Sequence, residues 1–240
     1  MNVEFEIGAS FRSTDKYDLG SVLSELEDSG ISFLHLDFFD GIMVRELGLS
    51  PEECLSIRSL SKLPIEAHLM EIKPRSMAFY RELGIDRVII HHESIGDKEE
   101  MLLAAKEDSM EVGIALNPST PHNDVSFLWP NIVDLVLVMG TKSGSGGNTY
   151  DEQTPNRIGQ VASVYTGLIE VNSGLVTLQT QMPENSTLYQ TYLAGARRFS
   201  LERGIFNIGL SISKAVQLNI EVLERAQSKL VESASFNRLV

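Results

Sequence analysis

His35 and Asp37 interrupt the apolar run FLHLDF, and His68 closes the run PIEAHLM. On a strand, side chains at i and i+2 share a face, so His35 and Asp37 point one way and Leu36 the other. Polar groups buried without partners are costly, so an inward His and Asp need company. If the strand ending in His68 lies alongside, two imidazoles and a carboxylate meet. That is a ligand set for Zn²⁺, Fe²⁺ or Mn²⁺. The same spacing also serves a hydrogen-bonded structural His–Asp pair. Asp40-Gly41 and Asn117-Pro118 read as turns. His91-His92-Glu93 ends a further apolar run, with one histidine expected in the pocket and the other at the surface. Gly144-Ser145-Gly146-Gly147-Asn148 is a loop whose backbone N–H groups could approach a phosphate, although such loops are often only flexible.

The elements that must position these residues repeat. A helix-like segment ends in a small residue and leads into a short apolar strand at 22–37, 79–92 and 188–202, each with a glycine just before the strand. Glycine there supplies a left-handed helix C-terminus. The strands are apolar runs rather than strict alternations, as in parallel sheets covered on both faces. Strands are expected from near 3, 32, 64, 86, 111, 133, 167 and 197. Helices are expected near 18–29, 50–60, 74–83, 97–109, 124–129, 151–164, 182–195 and 207–232. Eight βα units in 240 residues, without a GxGxxG fingerprint, predict one α/β domain over 1–240, a (β/α)₈ TIM barrel rather than a doubly wound sheet. Its functional groups then lie at the C-terminal strand ends, and the loop at 141–155 sits on that face.

Charge narrows the partners. The net charge is −13, from 33 acidic and 20 basic residues. A phosphate backbone would be repelled over most of that surface, so nucleic acid is not an expected partner. A single small phosphate is still accessible to local backbone N–H groups. The one cysteine, Cys54, leaves no intrachain disulfide. The N-terminal residues do not read as a signal peptide, and no apolar run approaches the length of a membrane span. A cytoplasmic protein with no membrane partner is expected. The helical outside of a barrel can pair into a homo-oligomer, and no apolar patch in the sequence decides the matter.

With these motifs in order, the chain resembles ribulose-phosphate 3-epimerases. HLDFFDG (35–41) is similar to that family's HLDxMDG. AHLM (67–70), IALNPSTP (114–121), VDLVLVM (133–139), GSGGN (144–148), IEVNSG (169–174) and RGIF (203–206) follow in the family's order and spacing. The resemblance runs from about residue 6 to 210. It implies a barrel of the ribulose-phosphate-binding type and one divalent metal, Zn, Fe or Mn, held by two His and two Asp. It also implies epimerisation of a small sugar phosphate, with a proton removed beside the carbonyl to give an enediolate. Carried over, His35, Asp37 and His68 are metal ligands and Asp37 is an acid/base. Ser10 and Met70 line the pocket, and Gly146, Gly147, Gly174, Arg203 and Gly204 take the phosphate.

The departures are as specific as the matches. The family's second catalytic Asp falls on Asn172, which can offer an oxygen to a metal but cannot relay a proton at neutral pH. The glycine doublet after it reads Ser173-Gly174. The Gly-Ser pair after the last strand reads Glu202-Arg203, and the Asn-Pro before the loop glycines reads Lys142-Ser143. Three activities are therefore expected to compete: a metal-dependent ketose-phosphate epimerase, a one-base sugar-phosphate isomerase or lyase, and a non-catalytic carbohydrate-binding relative.

Overall fold

The structure is a computed structural model. It describes residues 5–10, 18–46, 48–123, 132–143, 150–175, 182–206 and 209–237. Eight parallel strands close a barrel in sequence order. They are β1 (Glu6–Ser10), β2 (Phe33–Phe39), β3 (Ile65–Met70), β4 (Arg87–His91), β5 (Glu111–Leu116), β6 (Leu135–Met139), β7 (Leu168–Asn172) and β8 (Arg198–Leu201). The surrounding helices are α1 (Leu19–Ser29), α2 (Pro51–Leu60), α3 (Met77–Glu82), α4 (Lys98–Glu107), α5 (Thr154–Val164), α6 (Thr187–Leu193), α7 (Arg203–Phe206) and α8 (Ile212–Asn237). The expected helix at 124–129 lies outside the described residues. No helix of the described residues is long and apolar enough to cross a membrane.

The local signals act as their chemistry dictates. Gly30, Gly84 and Gly195, the three glycines of the repeat, take φ of 91°, 77° and 122°, which side chains with a Cβ resist. Ser50 caps α2 reciprocally with Glu53, and Pro51 opens the helix. Asp97 caps α4 by accepting from the Glu100 N–H. The helix expected over 207–232 is α8, which begins later, at Ile212, and the short helix α7 precedes it. Gly209 between them takes φ 71°, and Ser211 begins the next helix, its carbonyl accepting from the Ala215 N–H.

A device not foreseen repeats at the bottom of the barrel. Asp86, just before β4, accepts the Ile65 N–H of β3 at 2.8 Å and returns its own N–H to the Ile65 carbonyl at 2.9 Å. Asp134, just before β6, does the same with Val112 of β5, at 2.8 Å for each bond. Each aspartate staples a strand start to its neighbour. Arg58 and Lys106 then pair with Asp86 and Asp134 from the helix layer.

Two apolar layers result. The larger packs outward strand residues such as Leu34, Leu36, Val88, Ile90, Val136 and Val171 against the helices. The smaller, Ile89, Ala115, Leu135, Leu137 and Met139, lies inside the barrel on β4 to β6. On the remaining strands polar residues, His35, Asp37, Glu66, His68, Glu170, Asn172, Arg198 and Ser200, face inward beside Phe33, and these form the site.

Candidate metal centre at the barrel mouth

Strand register brings the predicted residues together. Asp37 lies opposite His68, and Ser10 opposite His35. Opposed residues of parallel strands share a face, so all four side chains turn inward near the C-terminal strand ends. His35 Nε2 lies 3.3 Å from His68 Nδ1 and 3.3 Å from Asp37 Oδ1, and His68 Nδ1 lies 3.1 Å from the same oxygen. Ligand atoms held about 2.0–2.2 Å from one cation sit roughly 3.0–3.5 Å from each other. The trio therefore fits a divalent metal. His35 and His68 are fully buried, and Asp37, 9% exposed, is the member that reaches the mouth.

Asn172 joins them from β7. Its Nδ2 is 2.6 Å from His35 Nε2 and 3.4 Å from His68 Nδ1. The neighbouring Ser173 hydroxyl lies 3.2 Å from Asn172 Oδ1. Because the two ends of an amide are assigned from their hydrogen bonds, a half-turn of this group presents the carbonyl oxygen to the same point. Ser173 and Gly174 both adopt left-handed φ, 75° and 73°. A Cβ on Gly174 would stand 2.7 Å from Tyr150 Cδ2, so this turn is packed as well as bent.

The other expected site residues are distributed around the mouth. Ser10 and Met70 are buried at the ends of β1 and β3. Arg203 is exposed and Gly204 buried at the start of α7. Gly146 and Gly147 lie outside the described residues.

Beneath the trio lies a charged layer that sequence reading missed. Glu66 Oε1 lies 2.7 Å from His35 Nδ1, and the Ser200 hydroxyl lies 3.1 Å from the same nitrogen while donating to Glu170. Arg198 reaches Glu170 at 3.1 Å and Glu66 at 3.2 Å, pairs with Glu6, and stacks over Phe33 at 3.8 Å. Glu66 also binds Arg87 at 3.0 Å. A usable signal was present: Glu66 is two residues before His68 and Glu170 two before Asn172, so period two puts each on the inward face.

This environment sets the charges. Burial disfavours the His35 cation, but hydrogen bonds to Asp37, Glu170 and Glu66 outweigh it and hold its pKa well above the usual imidazole value. Burial likewise disfavours the Asp37 anion, and its bonds to His35 and His68 reverse that, holding it far below the usual carboxylate range. His68 is pushed down to about 4, chiefly by burial. A neutral His68 and an ionised Asp37 are the protonation states a metal requires, whereas His35 must give up a proton to bind one. Burial and the Glu66 charge raise Glu170 to about 7.

The sequence model of the Ribulose-phosphate 3 epimerase family matches residues 6–186. The chain belongs to that family. Ribulose-phosphate 3-epimerase of Synechocystis is 27% identical over 215 residues, covering 86% of this chain and 90% of that protein. The Bacillus subtilis enzyme of the same name is 27% identical over 177 residues, covering 71% and 81%. The barrel also resembles solved structures. A tryptophan synthase α-subunit from Pyrococcus furiosus superposes with TM-score 0.62 at 14% identity, covering 92% of this chain and 97% of that one. Orotidine 5′-phosphate decarboxylase from Pyrococcus horikoshii gives 0.62 at 16% identity, covering 91% and 99%. At such identities these two show the shared barrel alone. In this barrel the strand-end His35, Asp37 and His68 stand together, with Asn172 beside them.

Proposed function

We propose that the chain epimerises a ketose phosphate with one divalent metal, zinc, iron or manganese. The observation that carries this reading is the convergence of His35 Nε2, His68 Nδ1 and Asp37 Oδ1 on one point at the barrel mouth. Membership of the epimerase family supports it. His35, Asp37 and His68 would hold the metal, with the Asn172 carbonyl as a neutral fourth ligand. A cation there would supply Lewis-acid stabilisation of the charge that develops on the substrate oxygens.

The protein's own groups then divide the work. The second oxygen of Asp37 takes the proton from the carbon beside the substrate carbonyl, leaving an enediolate. Ser10 and Met70 close the pocket around that carbon. Gly146, Gly147, Gly174, Gly204 and Arg203 receive the phosphate, and Arg203 offsets the Glu202 charge beside it. The apolar wall of Ile89, Leu137 and Met139 keeps water from one side of the cavity.

A second reading follows from Asn172. An amide cannot return a proton to the opposite face of the enediolate, so inversion takes that proton from solvent. Asp37 alone would support one-base isomerisation or carbon–carbon cleavage. Incubation of the metal-loaded protein with pentulose and hexulose phosphates in D₂O, followed by NMR, separates the readings. Inversion with deuterium at the inverted carbon is expected. Deuterium without inversion would favour the one-base reading, and no exchange with any of these sugars would overturn both.

A further inference from the structure

Behind His68 lies a line of polar side chains that the proposed chemistry leaves unused. His91 ends β4 and is fully buried. Its ring stacks on that of His68, with centroids 4.9 Å apart and planes 22° apart. Their Nε2 atoms are 2.8 Å apart. Glu93, two residues on, places Oε2 2.9 Å from His91 Nδ1. Its other oxygen accepts the Asn117 N–H at 3.1 Å and the Thr120 hydroxyl.

With a metal bound at His68 Nδ1, these contacts fix the positions of the protons. An ionised carboxylate only accepts, so His91 must carry its proton on Nδ1, facing Glu93. The neutral ring then offers a lone pair at Nε2. Two nitrogens 2.8 Å apart need one donor and one acceptor, so His68 carries its proton on Nε2. That leaves a lone pair on His68 Nδ1, the atom directed at Asp37 and His35. The reverse arrangement would put a hydrogen where a cation must bind.

We propose that His91 and Glu93 are positioning residues for the metal centre: Glu93 sets the tautomer of His91, and His91 in turn sets that of His68. The inference rests on the metal reading given above. Asn117 and Ser143 brace the pair from the neighbouring strands. The Ser143 N–H and hydroxyl reach Asn117 Oδ1 at 3.0 and 2.5 Å, and the hydroxyl lies 3.3 Å from His91 Nε2.

Groups that orient a metal-binding histidine are typically worth 10–100-fold in metal affinity. The test is titration of the metal-free, full-length protein with Co²⁺, followed by its visible absorption. Glu93→Ala and His91→Phe should each weaken binding by that factor and shift the absorption band. Glu93→Gln keeps an acceptor oxygen and should stay within a few-fold of the wild type. Unchanged affinity and band in Glu93→Ala and His91→Phe would overturn the inference and leave the metal reading intact. A wild type that binds no Co²⁺ would overturn both. Nitrogen-15 NMR of the wild-type histidine rings decides independently of whether the variants fold. In the Zn²⁺-loaded protein His68 should be protonated on Nε2 and His91 on Nδ1, and a proton on His91 Nε2 would overturn the inference.

Discussion

At the scale of single residues, Asn172 is where the proposed chemistry is most directly tested. It sits where His35 Nε2, His68 Nδ1 and Asp37 Oδ1 converge, with its amide 2.6 Å from His35 Nε2. A carboxylate in its place would add a charged ligand and a second group able to carry a proton. Asn172→Asp should therefore raise the rate of inversion of a ketose phosphate by roughly 10²–10⁴-fold, the usual worth of an acid–base group. Polarimetry or coupled NMR on the metal-loaded variant measures it, and an unchanged rate would mean that proton return uses another group.

At the scale of elements, strands are held by their ends. The Asp86 carboxylate receives the Ile65 N–H, so Asp86→Ala leaves that donor without its acceptor. A loss of about 1–3 kcal/mol is expected on chemical denaturation, and Asp86→Asn, which keeps an acceptor oxygen, should lose less. Glu93 ties the end of β4 to the loop after β5 and carries a pH dependence. Burial works against its anion, but hydrogen bonds from His91 and Thr120 prevail and hold its pKa at about 2, below the ordinary 4.5. A depressed carboxylate stabilises the fold above its unfolded pKa and loses that contribution as pH falls toward the folded value. Urea unfolding should therefore show a decline between about pH 4.5 and 2, of the order of 1–2 kcal/mol, that Glu93→Gln lacks.

What the sequence made legible at this scale was what recurs locally. The apolar strand runs, Gly30, Gly84, Gly195 and the His35-x-Asp37 spacing all express a period or a backbone need within a few residues. Arg198 could not be read that way. Its partners Glu66 and Glu6 are 132 and 192 positions distant, and only closure of β8 onto β1 brings them near. Asn117 looked like a turn residue and is one, but its role beside His91 depends on the pairing of β4 with β5.

At the scale of the whole molecule, the barrel interior is divided. Strands β4 to β6 contribute the apolar cluster around Ile89 and Leu137, with Arg87 and His91 at the two ends of β4, and the other strands contribute Glu6, Glu66, Glu170, Arg198 and the candidate ligands. Arg198 is the cation that makes this half tolerable, since it bonds to three carboxylates while only 3% exposed. Arg198→Met would keep much of the side-chain volume over Phe33, take the guanidinium from Glu6 and Glu170, and leave Glu66 with Arg87 and His35 alone. Breaking a buried ion pair in this way costs about 3–5 kcal/mol. The sign of the pH effect follows. Without the guanidinium, the Glu66 and Glu170 pKa values must rise, and Glu170 is already pushed up to about 7 by burial and by Glu66. A carboxylate whose folded pKa is raised contributes stability below its unfolded pKa, and that stability is lost as pH climbs through the folded value. The stability gap between Arg198→Met and the wild type should therefore be widest near pH 8 and narrow toward pH 5. Urea unfolding at the two pH values measures it. A gap that is constant with pH would show that Arg198 acts through its packing on Phe33 rather than through its charge.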